Sequence, residues 1–217
     1  MEKETKKNFG ITGVLLGAFV VWTATVRLVD VQLIGPQGSA VGLATINSWV
    51  HNLTGVHMSL YTVTDWLGLV PIGSAMGFAL LGLSQWMKRK HLKQVDFSIL
   101  VLGGFYLLVM AMYVLFEVFV INYRPVLING CLEASYPSST TMLVLCVMPT
   151  AIMQLNTRIK SKTLKRCAAF GITAFIIFMV IGRLLSGVHW FTDIVGGALL
   201  SAGLVMLYHS ITSLEIK

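Results

Sequence analysis

An all-α, polytopic membrane fold is predicted, with six transmembrane helices in one bundle and an amphipathic helix at the interface. Three observations carry that reading. Of the 217 residues, 56% are hydrophobic and only 12% charged, whereas a soluble domain is about one-quarter charged. Six apolar runs, at about 9–28, 66–87, 97–121, 138–155, 167–188 and 193–211, approach the roughly 20 residues a helix needs to cross the bilayer core. The basic residues collect on one side of those crossings. Because the runs fill most of the chain, residues 1–217 read as a single membrane-embedded domain.

The first run follows Lys3, Lys6 and Lys7, the charge pattern of a signal peptide. It is too long for a signal core and lacks a small-residue cleavage site, so it reads as a retained helix. The connection from Asp30 to Asp65 opens with a turn at Ile34-Gly35-Pro36-Gln37-Gly38. Leu43, Ile46, Val50, Leu53, Val56 and Leu60 then recur at steps of three or four. That spacing predicts an amphipathic interfacial helix, with Gly55 as a point of interruption. Asn52-Leu53-Thr54 matches a glycosylation sequon, relevant only in a secretory pathway. The third run gives way to a polar loop from Asn122 to Pro137, and Pro137-Ser138-Ser139 opens the fourth. The fifth and sixth are joined by the short Gly187–Asp193 segment.

The net charge is +7, but its distribution argues against nucleic acid. Thirteen of the sixteen Lys and Arg lie in the N-terminal tail, around Lys88–Lys93, between Arg158 and Arg166, or at Lys217. By the positive-inside rule both termini and these two loops are cytoplasmic, with the basic groups serving as topology signals and lipid-headgroup contacts. The expected location is the plasma membrane. Cys131, Cys146 and Cys167 show no metal-ligand spacing, and neither metal nor cofactor is expected. Cys146 and Cys167 read as small packing residues.

The chemistry gathers on the opposite, extracytoplasmic face. Gly182-Arg183 through His189 to Asp193 sets three charged or titratable side chains between two apolar runs, an expensive placement that marks function. His189 and Asp193 are four apart and share a helical face. An aspartate holding one imidazole nitrogen leaves the other free as a nucleophile. Arg183 and Arg124 offer planar donor forks suited to phosphate. Ser138 and Ser139 open a helix whose first-turn amides can cradle an anion. Taken singly, each has a plainer role: Arg183 can snorkel, Asp193 can cap, His189 can sit in an aromatic belt.

These residues resemble the type 2 phosphatidic acid phosphatase family, integral membrane lipid phosphatases with motifs K-x6-RP, PSGH and SR-x5-H-x3-D. The corresponding stretches run from Glu117 to Arg124-Pro125, from Pro137 to Thr140, and from Gly182-Arg183 through His189 to Asp193. The resemblance implies a phosphohistidine at His189, orientation by Asp193, phosphate binding by Arg124 and Arg183, and a lipid phosphate or diphosphate as substrate. Four positions depart. Glu117 replaces the first-motif lysine, Ser139 the second-motif glycine, Thr140 the second-motif histidine that serves as general acid, and Gly182 the third-motif serine. Expelling an alkoxide needs a proton donor, because its parent acid has a pKa near ~15.7. Expelling a phosphate, with a second pKa of about 6, needs far less help. A polyprenyl diphosphate is therefore the preferred expectation. Glu117, Glu133 or His57 remain open as replacement acids. A non-hydrolytic relative that binds lipid phosphate as sensor, carrier or partner remains open too. A channel or transporter does not fit, because no repeat is visible and the titratable groups lie at one face.

Overall fold

The computed structural model describes residues 2–214. It holds α1 (Glu2–Leu28), α2 (Ala44–Thr54), α3 (Met58–Leu67), α4 (Leu69–Arg89), α5 (Phe97–Val118), α6 (Ser139–Arg158), α7 (Lys162–Leu185) and α8 (Phe191–Thr212). Among the described residues, six spans are long and apolar enough to cross a bilayer, with α3 and α4 forming one of them together. Val14, Val21, Leu107, Phe170 and Ile177 lie exposed on the outer faces, where lipid replaces water as solvent.

The second span starts at Met58 rather than near 66, and the interfacial helix is α2 alone. The apolar series from Leu43 to Leu60 is split at Gly55, which takes φ +67 and ends α2. The break is pinned by tertiary contact. The His57 N–H donates to the Ser186 carbonyl at 2.9 Å, and a Cβ at Gly187 would lie 1.9 Å from the Gly55 oxygen. At Gly68 the helix falters again, because Pro71 has no N–H to give the Leu67 carbonyl.

α6 and α8 each bury half of their apolar windows, whereas the other spans bury under a quarter. They are therefore the central pair, and the second and third motifs sit at their starts. α1 packs along α8, and α7 and α8 both pack on α6. Phe19, Phe105, Tyr136, Met142, Leu200 and Tyr208 belong to the main core cluster. A Cβ at Gly196 would meet the Tyr136 ring at 2.6 Å, so glycine there is what lets α8 close on that ring. At the end away from the motifs, the Asp96 carboxylate accepts from Gln85 at 2.8 Å, Arg89 at 3.1 Å and Arg158 at 3.0 Å. One side chain thus ties α4, α5 and α6. Cys146 is buried as a packing residue should be, but Cys167 is exposed on α7, so its expected packing role does not hold.

Candidate active site

Two loops and one helix start bring the polar residues together. The first, between α5 and α6, is a small hairpin with bridges Tyr123–Ala134 and Ile128–Cys131. Its turn is Asn129-Gly130, both at positive φ (51 and 78), as a two-residue hairpin turn requires. The hairpin fixes Arg124 opposite Glu133: the Arg124 N–H donates to the Glu133 carbonyl at 3.0 Å. Their side chains form an ion pair, also at 3.0 Å.

The second element is the turn from α7 into α8. The Asp193 Oδ2 accepts from the Trp190 N–H at 2.9 Å, closing the first turn of α8. The same oxygen stands 3.6 Å from the His189 Nδ1. Asn47 and Thr192 complete the seat: the Asn47 side chain accepts from the Thr192 N–H at 3.1 Å and donates to its hydroxyl at 3.0 Å. The indole of Trp190 donates to the Tyr123 carbonyl at 2.7 Å, joining this turn to the hairpin.

Third comes the start of α6. Ser138 is fully buried, its N–H donates to the Asp193 carbonyl at 3.0 Å, and its hydroxyl has no partner. The first-turn amides that follow have no intrahelical acceptor.

Of the expected site residues, Arg124, Arg183, His189 and Asp193 converge, and all four are buried. His189 Nε2 lies 3.4 Å from Arg124 Nη1. Burial holds the His189 pKa well below its ordinary value, and the guanidiniums of Arg124 and Arg183 push it the same way. The ring is therefore neutral, with a lone pair available for attack. Ser139 and Glu117 line a narrow pocket together with His189. Thr140 does not line it. That residue faces an adjoining apolar groove of about 250 Å³ with Ile72, Val109 and Leu143. Tyr113, Ser139 and Met142 border both spaces, so the two adjoin.

Glu117 does not pair with either arginine. Arg124 takes Glu133 and Arg183 takes Asp65, at 3.6 Å, while Glu117 sits beside the Tyr113 hydroxyl. The hairpin explains this choice, because its ladder delivers Glu133 directly to Arg124. His57 is exposed, with Nε2 2.9 Å from the Thr54 carbonyl, and His51 lies against Trp190 at 5.4 Å between centroids.

Sequence reasoning missed the contribution of α3. Tyr61, Thr64 and Asp65 recur at helical spacing on one face, and that pattern of polar residues was the available signal. Thr64 accepts from Arg183 Nη1 at 3.4 Å. Gly182 explains its own departure: a Cβ there would lie 2.8 Å from the Thr64 methyl. Small residues allow such close approach between membrane helices.

A family model described as the PAP2 superfamily matches residues 101–217. Among solved structures, the chain is similar to the crystal structure of the first transmembrane PAP2 type phosphatidylglycerolphosphate phosphatase from Bacillus subtilis. The likeness has a TM-score of 0.58 at 19% identity and covers 95% of this chain and 97% of that one. Among curated proteins, none matches.

Proposed function

This integral membrane protein belongs to the PAP2 superfamily, and we propose that it hydrolyses a lipid phosphate, with a polyprenyl diphosphate the preferred substrate. The observation that carries the reading is the buried convergence on His189: Arg124 at 3.4 Å from one ring nitrogen and Asp193 at 3.6 Å from the other. Phosphoryl transfer needs chiefly positioning and charge stabilisation, and these residues offer both.

The terminal phosphoryl group sits between Arg124 and Arg183, with the α6 first-turn amides as further donors. The His189 Nε2 lone pair attacks phosphorus, and the phosphorus–oxygen bond to the leaving group breaks. The leaving oxygen keeps the electron pair. Asp193 stabilises the positive charge that develops on the ring. Water then attacks the phosphohistidine, releasing inorganic phosphate and restoring neutral His189. The apolar groove beside Ser139 provides space for the lipid chain next to the reacting centre.

Leaving-group chemistry selects the diphosphate. Thr140 brings no imidazole, and its side chain lies in the groove rather than in the His189 pocket. A leaving lipid monophosphate needs little protonation, whereas an alkoxide needs much. The exposed face is extracytoplasmic on this reading, with both termini cytoplasmic. Cysteine labelling of intact cells near Tyr136, but not near Lys162, tests it, and the reverse pattern removes it.

A second reading, lipid-phosphate binding without turnover, draws on the ion pairs that already occupy both arginines. The deciding experiment assays purified protein in detergent against polyprenyl diphosphate, polyprenyl phosphate and phosphatidate. Phosphate release fastest from the diphosphate supports hydrolysis. Binding with no release from any of the three favours the second reading.

A further inference from the structure

Arg124 arrives from the α5–α6 hairpin and Arg183 from the end of α7, yet both guanidiniums lie over the ring of Tyr61. The Cζ atoms stand 5.9 and 4.9 Å from its centroid. Two like charges repel, more strongly where water is excluded, so something must keep this pair together. The electron-rich face of an aromatic ring attracts a cation within about 6 Å. Tyr61 offers its ring to both.

The rest of α3 is organised around the same task. Tyr61, Thr64 and Asp65 stand at i, i+3 and i+4, which sets them on one side of the helix. Thr64 accepts from Arg183 Nη1 at 3.4 Å, and Asp65 lies 3.6 Å from the same atom. Arg183 is thereby held by one edge of its fork. Its buried Nε has no partner, although an arginine edge with an idle donor in a buried site is costly. Gly182 provides the seat, since only a residue without Cβ lets the Thr64 methyl approach so closely.

We propose that α3 is a further arm of the phosphate site, in which Tyr61 is a positioning residue that gathers Arg124 and Arg183 onto a single anion. Tyr61 itself does not touch the phosphorus. It fixes where the two forks stand before the ligand arrives, so that little reorganisation is needed on binding. This rests on the phosphate-site reading above, but not on turnover.

The test replaces Tyr61 with phenylalanine and with a series of increasingly fluorinated phenylalanines. These keep the ring's shape while draining its face of negative charge, so the fold is preserved. The probe is orthovanadate, measured by calorimetry on purified full-length protein in detergent, with diphosphate hydrolysis followed in parallel. Tyr61→Phe is expected to bind vanadate as wild type does. Affinity should then fall stepwise with fluorination, reaching about a tenfold loss, as expected for cation–π attraction to two guanidiniums. KM should rise with it, and kcat should change less. A flat series in a protein that binds vanadate overturns the inference, as does a Tyr61→Phe loss equal to that of the most fluorinated ring, which would assign the effect to the hydroxyl. A graded series in a protein without turnover supports the inference while removing the hydrolase reading. If wild type shows neither binding nor turnover, both fall.

Discussion

Arg124 and His189 meet at 3.4 Å, guanidinium Nη1 against imidazole Nε2, inside a site where both side chains are buried. A cation facing that nitrogen keeps it unprotonated. The atom that would attack phosphorus is thus poised as a base beside the group that would neutralise the phosphate. Arg124 reaches this position because the hairpin pairs it with Glu133.

Removing the nucleophile is the first test. His189→Ala is expected to abolish phosphate release. Asp193→Asn should lower it severely, because the carboxylate both faces the ring and closes the first turn of α8. Arg183→Lys should also be damaging, since an ammonium lacks the planar fork. Steady-state assays at matched expression read all three, and full activity in His189→Ala would reject the mechanism.

On the proposed mechanism, the residue at position 140 sets which leaving groups are tolerated. Thr140→His, combined with Ser139→Gly if space demands it, should raise monophosphate hydrolysis more than diphosphate hydrolysis. The ceiling is the roughly 10²–10⁴ expected of a positioned general acid. Because Thr140 lines the groove and not the His189 pocket, the gain should be well below that ceiling. Native protein cleaving phosphatidate as fast as a diphosphate would show that another residue supplies the proton.

Gly182→Ser returns the serine of the related motif, yet here it should be harmful. Its Cβ would press on the Thr64 methyl at 2.8 Å, and overpacking typically costs about 1–3 kcal/mol. A lower melting temperature in detergent and a raised KM are expected together, because Thr64 also holds Arg183. Unchanged stability with unchanged KM would mean that α3 yields freely.

One contribution to the pH dependence of stability comes from His189. Its pKa is lowered in the fold, by burial first and then by Arg124 and Arg183. Below about 6.5 the unfolded chain takes up a proton that the folded protein refuses. The His189 contribution is thus complete above that pH and is lost as pH falls toward the depressed folded value. Thermal unfolding from pH 7.5 to 5 should show the decline, and His189→Gln should flatten it. An identical slope in the variant would contradict a neutral buried ring.

The sequence alone determined the class of this protein. Hydropathy is a sum over local residues, so Val14, Leu107 and Ile177 announce lipid-facing spans without any partner. The third-motif spacing from Arg183 to Asp193 is local too, but His189 lies in the turn before α8 rather than on it, so that turn and not a shared helical face brings His189 to Asp193. Tertiary structure decided everything that depends on distant residues meeting. Whether Glu117 or Glu133 would pair with Arg124 was set by a hairpin turn at Asn129-Gly130. Gly55 and Gly187 fixed where α2 stops and α3 begins. Tyr61 lies outside all three motifs, and Thr64 needs a missing Cβ at Gly182 to approach α7. Patterns of hydropathy and motif spacing encode which face a residue occupies along its own segment. They do not encode which segment packs opposite, because that is settled by steric fit between surfaces far apart in the chain.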